Sequence, residues 1–259
     1  MKTYEFDGEK YKIASTPQKE WGQSLISKIS LQGNERILDL GCGDGYLTEQ
    51  LALLAPNGKV LGIDASVGMI QTAKKICRDN LDFLHMDINE LCFSNEFDII
   101  FSNAALHWVK DHKRLLQNSH AALKPGGILL WDFGSDGNCS NFLAVIQKKI
   151  GEKKYIEFFK DFEMPWFMPS KSHYTELIAD IGFSHFTITE VNRDRYFSTS
   201  DDMIKWIDQP AIVPFIERIP DTLKNSFREE VIEEMLERAQ QPDGTCFETF
   251  RRLQVYAQK

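Results

Sequence analysis

The chain has 259 residues, and its 30 lysines and arginines against 38 aspartates and glutamates give a formal net charge of −8. This length suits one large α/β domain. The acidic balance disfavours a nucleic-acid partner, whose phosphates are bound by clustered lysines and arginines. Because no apolar run approaches the roughly 20 residues that span a bilayer and the N-terminus lacks the apolar centre of a secretion signal, we expect a cytoplasmic protein without a membrane partner.

The cysteines favour neither a disulfide framework nor a zinc site. The five are scattered, and no two form a C-x-x-C pair. We therefore expect no metal centre. Cys42 lies between two glycines, where a small buried side chain is the simplest interpretation.

Strand and helix patterns alternate through the first half of the chain. Short apolar runs predict strands, and stretches of about 10–14 residues with apolar positions three and four apart predict the helices between them. Such alternation is typical of right-handed βαβ units in a parallel sheet. The predicted strands span residues 36–41, 59–64, 81–86, 97–102 and 127–133, and the predicted helices 46–55, 67–79 and 112–123.

The second half is less regular. A K-P-G-G tetrad at 124–127 separates the preceding helix from its strand, and an irregular, aromatic-rich helical pattern covers 138–183. Two further helices are predicted over 201–219 and 221–241, and strands over 185–197 and 246–259.

A glycine-rich loop follows the first predicted strand. It reads G-C-G-D-G at 41–45, with Asp39 just before it and Asp64 at the end of the second predicted strand. In open parallel sheets, ligands bind at the carboxyl ends of strands, where glycines let the backbone approach them closely. The loop matches neither the dinucleotide pattern G-x-G-x-x-G nor a P-loop. Asp39 suits a ligand with an amino group, and Asp64 is placed to accept hydrogen bonds from two ribose hydroxyls.

Four motifs carry a family resemblance. ILDLGCGDGYLT, VLGIDAS, MDI and ALKPGG occur in this order across roughly the first half of the chain. They resemble the successive motifs of class I S-adenosylmethionine-dependent methyltransferases. The resemblance implies S-adenosyl-L-methionine as cofactor and S-adenosyl-L-homocysteine as product. It implies cofactor contacts from Asp39, Gly41, Cys42 and Gly43 at the methionine end, Asp64 at the ribose, Ala65, Met69, Asp87 and Ile88 at the adenine, and Asn103 beside the sulfonium.

The resemblance also implies an architecture. We expect an α/β fold: a Rossmann-like, doubly wound, mostly parallel seven-stranded sheet with helices on both faces and a helical cap. One domain is predicted over 1–259. It comprises an N-terminal helical segment (1–30), the cofactor-binding core (31–135), cap helices with a sixth strand (136–245) and a final strand (246–259).

The segment after the fourth strand indicates the acceptor. NAALHWV at 103–109 is similar to the corresponding segment of trans-aconitate and insect juvenile hormone acid methyltransferases. LHW is also similar to plant carboxyl methyltransferases of the salicylic and jasmonic acid group, in which a tryptophan here and a glutamine near the N-terminus bind the substrate carboxylate. This resemblance implies those roles for Trp108 and Gln18. The C-terminal half resembles the cap of the trans-aconitate enzymes more loosely.

The chemistry of methyl transfer makes a carboxylate a suitable acceptor. The protein has mainly to align the nucleophile with the methyl carbon, and a carboxylic acid is already ionised at pH 7. Trp108, Gln18 and His107 are then candidates to orient its oxygens, whereas an alcohol, phenol or carbon acceptor needs a base, for which His107 leads. Candidate cations for a second acidic group are Arg195, Arg251 and Arg252.

Alternatives stay open for these residues and for the reaction. Trp108 can simply pack beneath the cap, and Gln18 can bond the backbone of a surface helix. Methylation of carbon, nitrogen or a hydroxyl, malonyl-thioester carboxyl methylation and a cofactor-sensing domain are the rival functions. The lack of an N-P-P-Y or D-P-P-Y tetrad after the fourth strand disfavours methylation of nucleic-acid bases. The expected partner is a small acidic molecule, and the expected state is a monomer or weak homodimer.

Overall fold

The computed structural model describes residues 4–8, 11 and 15–259, which divide into two units. The sheet unit comprises the described residues up to Asp136, together with Trp166–Val191 and Arg252–Lys259. The helical unit comprises Gly137–Pro165 and Asn192–Arg251. The predicted single-domain organisation stays a prediction.

Nine strands are described. They are β1 (Arg36–Leu40), β2 (Lys59–Asp64), β3 (Leu81–His85), β4 (Phe97–Asn103), β5 (Leu123–Gly134), β6 (His185–Asn192), β7 (Arg195–Phe197), β8 (Cys246–Glu248) and β9 (Arg251–Gln258). Seven of them form one sheet in the order β3-β2-β1-β4-β5-β9-β6. Strands β1 to β5 pair in parallel, and β9 runs antiparallel to β5. The Rossmann-like, mostly parallel seven-stranded fold is confirmed.

The sheet is buried on both faces because its strands are continuously apolar, as parallel strands between helices require. Successive side chains point to opposite faces. Leu38 and Ile100 therefore belong to one core cluster, and Ile37 and Phe101 to the other. All four side chains are fully buried.

The helices that follow the strands begin at polar caps where the sequence supplies them. Ser66 accepts from the amide of Met69, and Asp111 from that of Arg114. The described helices are α1 (Thr16–Ile26), α2 (Tyr46–Leu54), α3 (Val67–Ala73), α4 (His112–Ala122), α5 (Ser140–Ile150), α6 (Lys171–Ala179), α7 (Ser200–Trp206), α8 (Val213–Ile216) and α9 (Asp221–Ala239). Short 3₁₀ turns span Ile88–Glu90, Leu106–Trp108 and Ile156–Phe159.

The helical unit is held by aromatic packing and by one buried lysine. The ring of Phe142 lies 5.9 Å from that of Trp206, and Tyr155 lies 4.9 Å from Phe227. Lys149 is 4% exposed and forms ion pairs with Glu152 (2.8 Å), Glu230 (3.4 Å) and Glu234 (2.6 Å). Strands β7 and β8 pair separately in this unit.

Several predicted elements were too long. The helix predicted over 201–219 breaks because Gln209 precedes Pro210, which disfavours helical backbone before it; its φ of −153° and ψ of 103° are extended. The strand predicted over 185–197 ends at Asn192, whose side chain accepts from the amide of Asp194 (2.9 Å) in a turn.

Three other boundaries also differ from the prediction. The final strand is two strands, since β8 pairs with β7 while β9 pairs with β5. Strand β5 begins at Leu123, and the K-P-G-G tetrad lies within it, because the Gly126 amide donates to Lys259 and the Lys259 amide to Gly127 (both 3.0 Å). Helix α3 ends at Ala73, six residues before the predicted end of the helix at 79.

Candidate active site

The strand order reverses between β1 and β4, since β2 and β3 continue the sheet beyond β1 and β5 continues it beyond β4. Open parallel sheets bind their ligands in the crevice at such a point, outside the carboxyl ends of the strands. The glycine loop follows β1, and the Leu106–Trp108 turn follows β4. Both predicted parts of the site therefore lie at this edge.

The glycine loop needs its glycines for two reasons. Gly41, Gly43 and Gly45 have φ of +70°, +56° and +82°, which residues with a Cβ rarely adopt. A Cβ at Gly41 would also lie 2.2 Å from the Cβ of Ala105, whereas one at Gly43 would meet only Tyr11, at 3.8 Å, among the described residues. Gly43 thus places no side chain between its backbone and a ligand, although its amide already donates to Asp64. Cys42 is 8% exposed, as a small buried side chain should be.

Two carboxylates stand beside the loop. Asp39 is 2% exposed and accepts from Thr48 Oγ1 (2.7 Å). Burial raises its pKa to about 7; the Thr48 bond opposes this rise and the charge of Asp64 adds to it. Asp64 accepts from the amides of Gly43 (3.0 Å) and Ser66 (2.9 Å). Burial raises the pKa of Asp64, although these two bonds lower it.

The remaining cofactor candidates lie beyond β2 and β3. The Met86 amide donates to the Asp64 carbonyl (3.0 Å), so Asp87 follows directly on the strand beside Asp64. Asp87 accepts from the backbone (2.8 Å) and side chain (2.7 Å) of Asn89. Ile88 and Met69 are 9% and 4% exposed, and the Ala65 carbonyl accepts from His85 Nε2 (2.9 Å).

An N-terminal segment, residues 4–8, lies against this part of the crevice. The carboxylate of Glu5 accepts from Ser66 Oγ (3.2 Å) and from the amides of Val67 and Gly68 (both 3.4 Å). The rings of Tyr4 and Phe6 lie 5.6 and 5.7 Å from that of Trp108. Sequence reasoning missed Glu5, because a lone acid in a polar stretch carries no periodic or motif signal.

Unpaired polar atoms gather at the carboxyl end of β4. Asn103 Nδ2 donates to the backbone carbonyl of Gln18 (2.9 Å), which joins β4 to α1. Four buried side-chain atoms make no hydrogen bond to any described residue: Ser15 Oγ, Gln18 Oε1, Asn103 Oδ1 and His107 Nδ1. Buried polar atoms in folded proteins nearly always have a partner. These four therefore mark a place where a polar ligand or water fits.

Hydrogen bonds from His112 and Phe167 fix the backbone of the turn that carries His107 and Trp108. His112 Nε2 lies 2.9 Å from the Leu106 carbonyl, which only accepts, so this nitrogen carries the proton. His112 Nδ1 then accepts from the hydroxyl of Tyr174 (3.0 Å). The His107 carbonyl accepts from the amide of Phe167 (2.8 Å). No hydrogen bond joins Gln18 to Trp108, whose indole nitrogen bonds no described residue.

Both histidines near this turn are neutral at physiological pH. The pKa of His107 is lowered to about 3, chiefly by burial and then by the charges of Arg252 and His112. Burial lowers the pKa of His112 to about 4, against the effect of its bond to the Leu106 carbonyl. His107 can therefore donate or accept a hydrogen bond but carries no charge.

The three candidate arginines fall in different units. Arg195 and Arg251 belong to the helical unit, where Arg251 pairs with Asp194. Arg252 belongs to the sheet unit, is 3% exposed and pairs through Nε with Asp132. Its guanidinium lies 4.6 Å above the ring of Trp21.

The residues that the structure describes contain no group of three or more histidine, cysteine, aspartate or glutamate side chains placed to hold a metal ion. None of the described helices combines the length and the apolar character needed to cross a membrane.

Comparisons with known proteins agree with this geometry. The family described as methyltransferase domain matches residues 31–163. An uncharacterized methyltransferase of Schizosaccharomyces pombe is 30% identical over 244 residues, covering 92% of this chain and 91% of its own. A trans-aconitate 2-methyltransferase of Mycobacterium tuberculosis is 29% identical over 238 residues, covering 90% and 89%. A solved structure of phosphoethanolamine N-methyltransferase 2 of Haemonchus contortus with S-adenosyl-L-methionine has a TM-score of 0.61 at 17% identity, over 97% of this chain and 56% of that one. This chain therefore belongs to the methyltransferase domain family, as a class I S-adenosylmethionine-dependent methyltransferase.

Proposed function

We propose that this methyltransferase transfers its methyl group to a carboxylate oxygen of a small organic acid. The observation that carries the proposal is the ring of His107, whose Nδ1 is buried without a partner among the described residues and whose pKa burial lowers to about 3. A general base works best with a pKa near the working pH, so His107 is poorly suited to deprotonate an alcohol or phenol. A carboxylate is ionised already and needs no base.

The crevice residues fit the cofactor. Gly43 leaves backbone exposed beside two acids, Asp39 and Asp64, that lie at the ends of neighbouring strands. Asp39 and the loop of Gly41, Cys42 and Gly43 would hold the methionine end, and Asp64 the ribose. Ala65, Met69, Asp87 and Ile88 would surround the adenine, with Asn103 beside the sulfonium. The bound cofactor supplies an electrophilic methyl group on a positively charged sulfur.

The acceptor would bind at the unpaired polar atoms after β4. The indole N–H of Trp108, the Nε2 group of Gln18 and a ring N–H of neutral His107 are the donors that would bind a carboxylate oxygen, whereas the unpaired Gln18 Oε1 only accepts and would bind a water. Donors on one carboxylate oxygen would leave the other free to attack, and alignment is the main contribution of such a site. The name of the trans-aconitate 2-methyltransferase relatives supports an organic acid as the acceptor.

The experiment is a labelling assay with an acid panel. The protein is incubated with methyl-labelled S-adenosyl-L-methionine and trans-aconitate, other organic acids, their fully esterified forms, alcohols and amines. Carboxyl methylation predicts label on free acids only, released as methanol by mild alkali. Label that resists alkali, or equal labelling of the esters, would contradict the proposal.

A variant separates the carboxylate from the hydroxyl reaction. His107→Gln keeps a polar side chain but no base, and it should retain activity on an acid to within about tenfold. Loss of a general base costs about 10²–10⁴-fold. A loss of that size, with unchanged cofactor affinity by calorimetry, would favour a hydroxyl acceptor with His107 as the base.

A further inference from the structure

The geometry points to Arg252 as a specificity-determining residue, which binds a second acidic group of the acceptor and so selects molecules with two or more carboxylates. This inference rests on the proposed carboxyl methylation. It concerns a residue that no cofactor motif contains, on the last strand of the sheet. Its basis is a buried guanidinium with unused donors beside the proposed acceptor site.

The position of Arg252 follows from a closed chain of contacts. Arg252 Nη2 donates to the Asp132 carbonyl (3.0 Å), and the amide of Ala104 donates to the same oxygen (2.7 Å). Ala104 follows Asn103, whose side chain bonds the Gln18 carbonyl. One turn farther along α1, Trp21 lies beneath the Arg252 guanidinium. Arg252 thus lies between the end of β4 and the helix that carries Gln18.

The guanidinium uses only part of its donor capacity. Arginine has five N–H donors. Nε binds Asp132 Oδ1, and Nη2 binds the Asp132 carbonyl, whereas Nη1 makes no hydrogen bond to any described residue. The unused hydrogens are those of Nη1 and one of Nη2, which form the end of the guanidinium fork. This fork matches a carboxylate bidentately.

Asp132 orients Arg252 and is itself fully engaged. Its second oxygen, Oδ2, accepts from Gln254 Nε2 (2.8 Å), and Asp132 is 0% exposed. A buried ion pair of this kind contributes little to stability compared with apolar residues of the same size. Stability alone therefore gives no reason for an arginine with a free fork at this position.

The charge of Arg252 reaches the acceptor side of the crevice. It lowers the pKa of His107 and opposes the raised pKa of Tyr11, whose ring lies over Gly43. At His107 the effect has the sign of a positive potential, because it disfavours an imidazolium, whereas at Tyr11 the charges of Asp44 and Asp64 act in the opposite direction and outweigh that of Arg252. An anion held between Arg252 and His107 gains from the charge of Arg252, away from the acids Asp39 and Asp64 that line the cofactor side.

The test compares diacids with their monoamides, which keep one carboxyl group and lose the second charge. The probes are straight dicarboxylic acids of four to eight carbons, each assayed for alkali-labile methyl label and for binding by calorimetry with S-adenosyl-L-homocysteine present. Wild-type protein should prefer the diacids to the monoamides by about 10- to 100-fold in kcat/KM, the size expected of a charged hydrogen bond. The preference should appear in KM.

The variant must not leave the buried carboxylate of Asp132 without its cationic partner. Arg252→Gln leaves Asp132 unpaired, so the double variant Arg252→Gln/Asp132→Asn is used beside it, with folding checked by thermal unfolding. The double variant should bind and methylate diacids and monoamides alike, at the wild-type rate for monoamides. The matched control is Arg251→Gln, which removes the neighbouring arginine, half-exposed and paired with Asp194, and should keep the preference.

Two results would overturn the inference, and they are distinguishable. If acids carry the label but wild-type protein shows no preference for diacids, or the folded double variant keeps one, Arg252 has no role in selection while carboxyl methylation stands. If no acid carries alkali-labile label, the proposed function falls and the inference falls with it.

Discussion

The crevice has a cofactor half, with the acids Asp39, Asp64 and Asp87, and an acceptor half, with Gln18 and the turn of His107 and Trp108. The two halves differ in how far their polar side chains are hydrogen-bonded within the protein. In the cofactor half, Asp39 accepts from Thr48, Asp64 from two loop amides and Asp87 from Asn89. On the acceptor side, Gln18 Oε1 and His107 Nδ1 are buried without a partner among the described residues, and so is Asn103 Oδ1, which lies where the two halves meet. The acids of the cofactor half are thus paired within the protein (Asp44 Oδ2 makes no hydrogen bond but forms an ion pair with Lys19 at 3.1 Å), whereas the acceptor side leaves side-chain atoms unpaired for a ligand or water.

This difference has a physical cause. The cofactor half is built from strand ends and a glycine loop, whose backbone amides lie within reach of the acids. The acceptor half is built from side chains on α1 and a short turn, held from behind by His112 and Tyr174. Its rigid backbone presents polar atoms that it cannot itself satisfy, which costs stability and favours a polar ligand.

The largest effect should come from neutralising Asp39, in the satisfied half. Its folded pKa of about 7 exceeds the ordinary value, so the folded state binds more protons than the unfolded state between about pH 4 and 7. The free energy of unfolding should therefore fall with rising pH in that window, by roughly 4 kcal/mol from this group, and level off above it. Asp39→Asn should remove this slope.

Denaturant unfolding across pH 4 to 8 measures the slope for wild type and variant. Asp82→Asn, which removes an exposed carboxylate on β3, controls for loss of charge alone. Parallel pH curves for wild type and Asp39→Asn would mean that Asp39 is ionised in the folded protein throughout.

The cofactor half was also the more predictable from sequence. Gly41 to Gly45, Asp39, Asp64 and Asp87 stand at fixed places relative to apolar strands, and parallel strands end at one edge of the sheet. The acceptor half depends on contacts between distant parts of the chain, such as Asn103 with Gln18 or His112 with Tyr174. No local pattern encodes these contacts, and the resemblance alone suggested Gln18 and Trp108.

The same contrast explains the fold predictions. The five parallel strands were located closely because each is a short apolar run. The elements after residue 183 were placed too long, because a proline at 210 and an Asn192 turn interrupt patterns that otherwise continue. Pairing partners decide where β8 ends and β9 begins, and pairing is a tertiary property.

A second prediction removes the acid of the cofactor half that is proposed to bind the ribose. Asp64→Ala should weaken binding of S-adenosyl-L-homocysteine by about 1.5–3 kcal/mol, because a charged acceptor is lost, with part of the loss due to the loop amides of Gly43 and Ser66 that it orders. Calorimetry measures the affinity, with Asp82→Ala as the matched control. An affinity within twofold of wild type would refute the ribose role.

A third prediction concerns the hydrogen bond between Tyr174 and His112, which supports the turn of His107 and Trp108 in the acceptor half. Tyr174→Phe removes the hydroxyl that donates to His112 Nδ1 and leaves a buried acceptor unsatisfied, at a cost of about 1–2 kcal/mol in the free energy of unfolding. Because the turn of His107 and Trp108 loosens, KM for the acid should rise while cofactor affinity stays unchanged. Tyr196→Phe, an exposed tyrosine of the helical unit, is the control. Equal loss of cofactor and acceptor binding would show that the two halves are not separately supported.

The smallest effect should come from Trp108→Phe, which keeps an aromatic ring beside Tyr4, Phe6 and Trp166 and deletes the indole N–H together with one of the two fused rings. That donor bonds no described residue and Trp108 is only partly buried, so the loss of the second ring should lower stability only slightly. If it binds the acceptor carboxylate, kcat/KM on the acid should fall by about tenfold, the worth of roughly 1.4 kcal/mol, with cofactor affinity intact. Steady-state kinetics and calorimetry on the same preparation separate these outcomes. Unchanged kcat/KM would assign Trp108 to packing. Gln18 and His107, whose side chains carry unpaired polar atoms, would then be the remaining candidates to bind the substrate carboxylate.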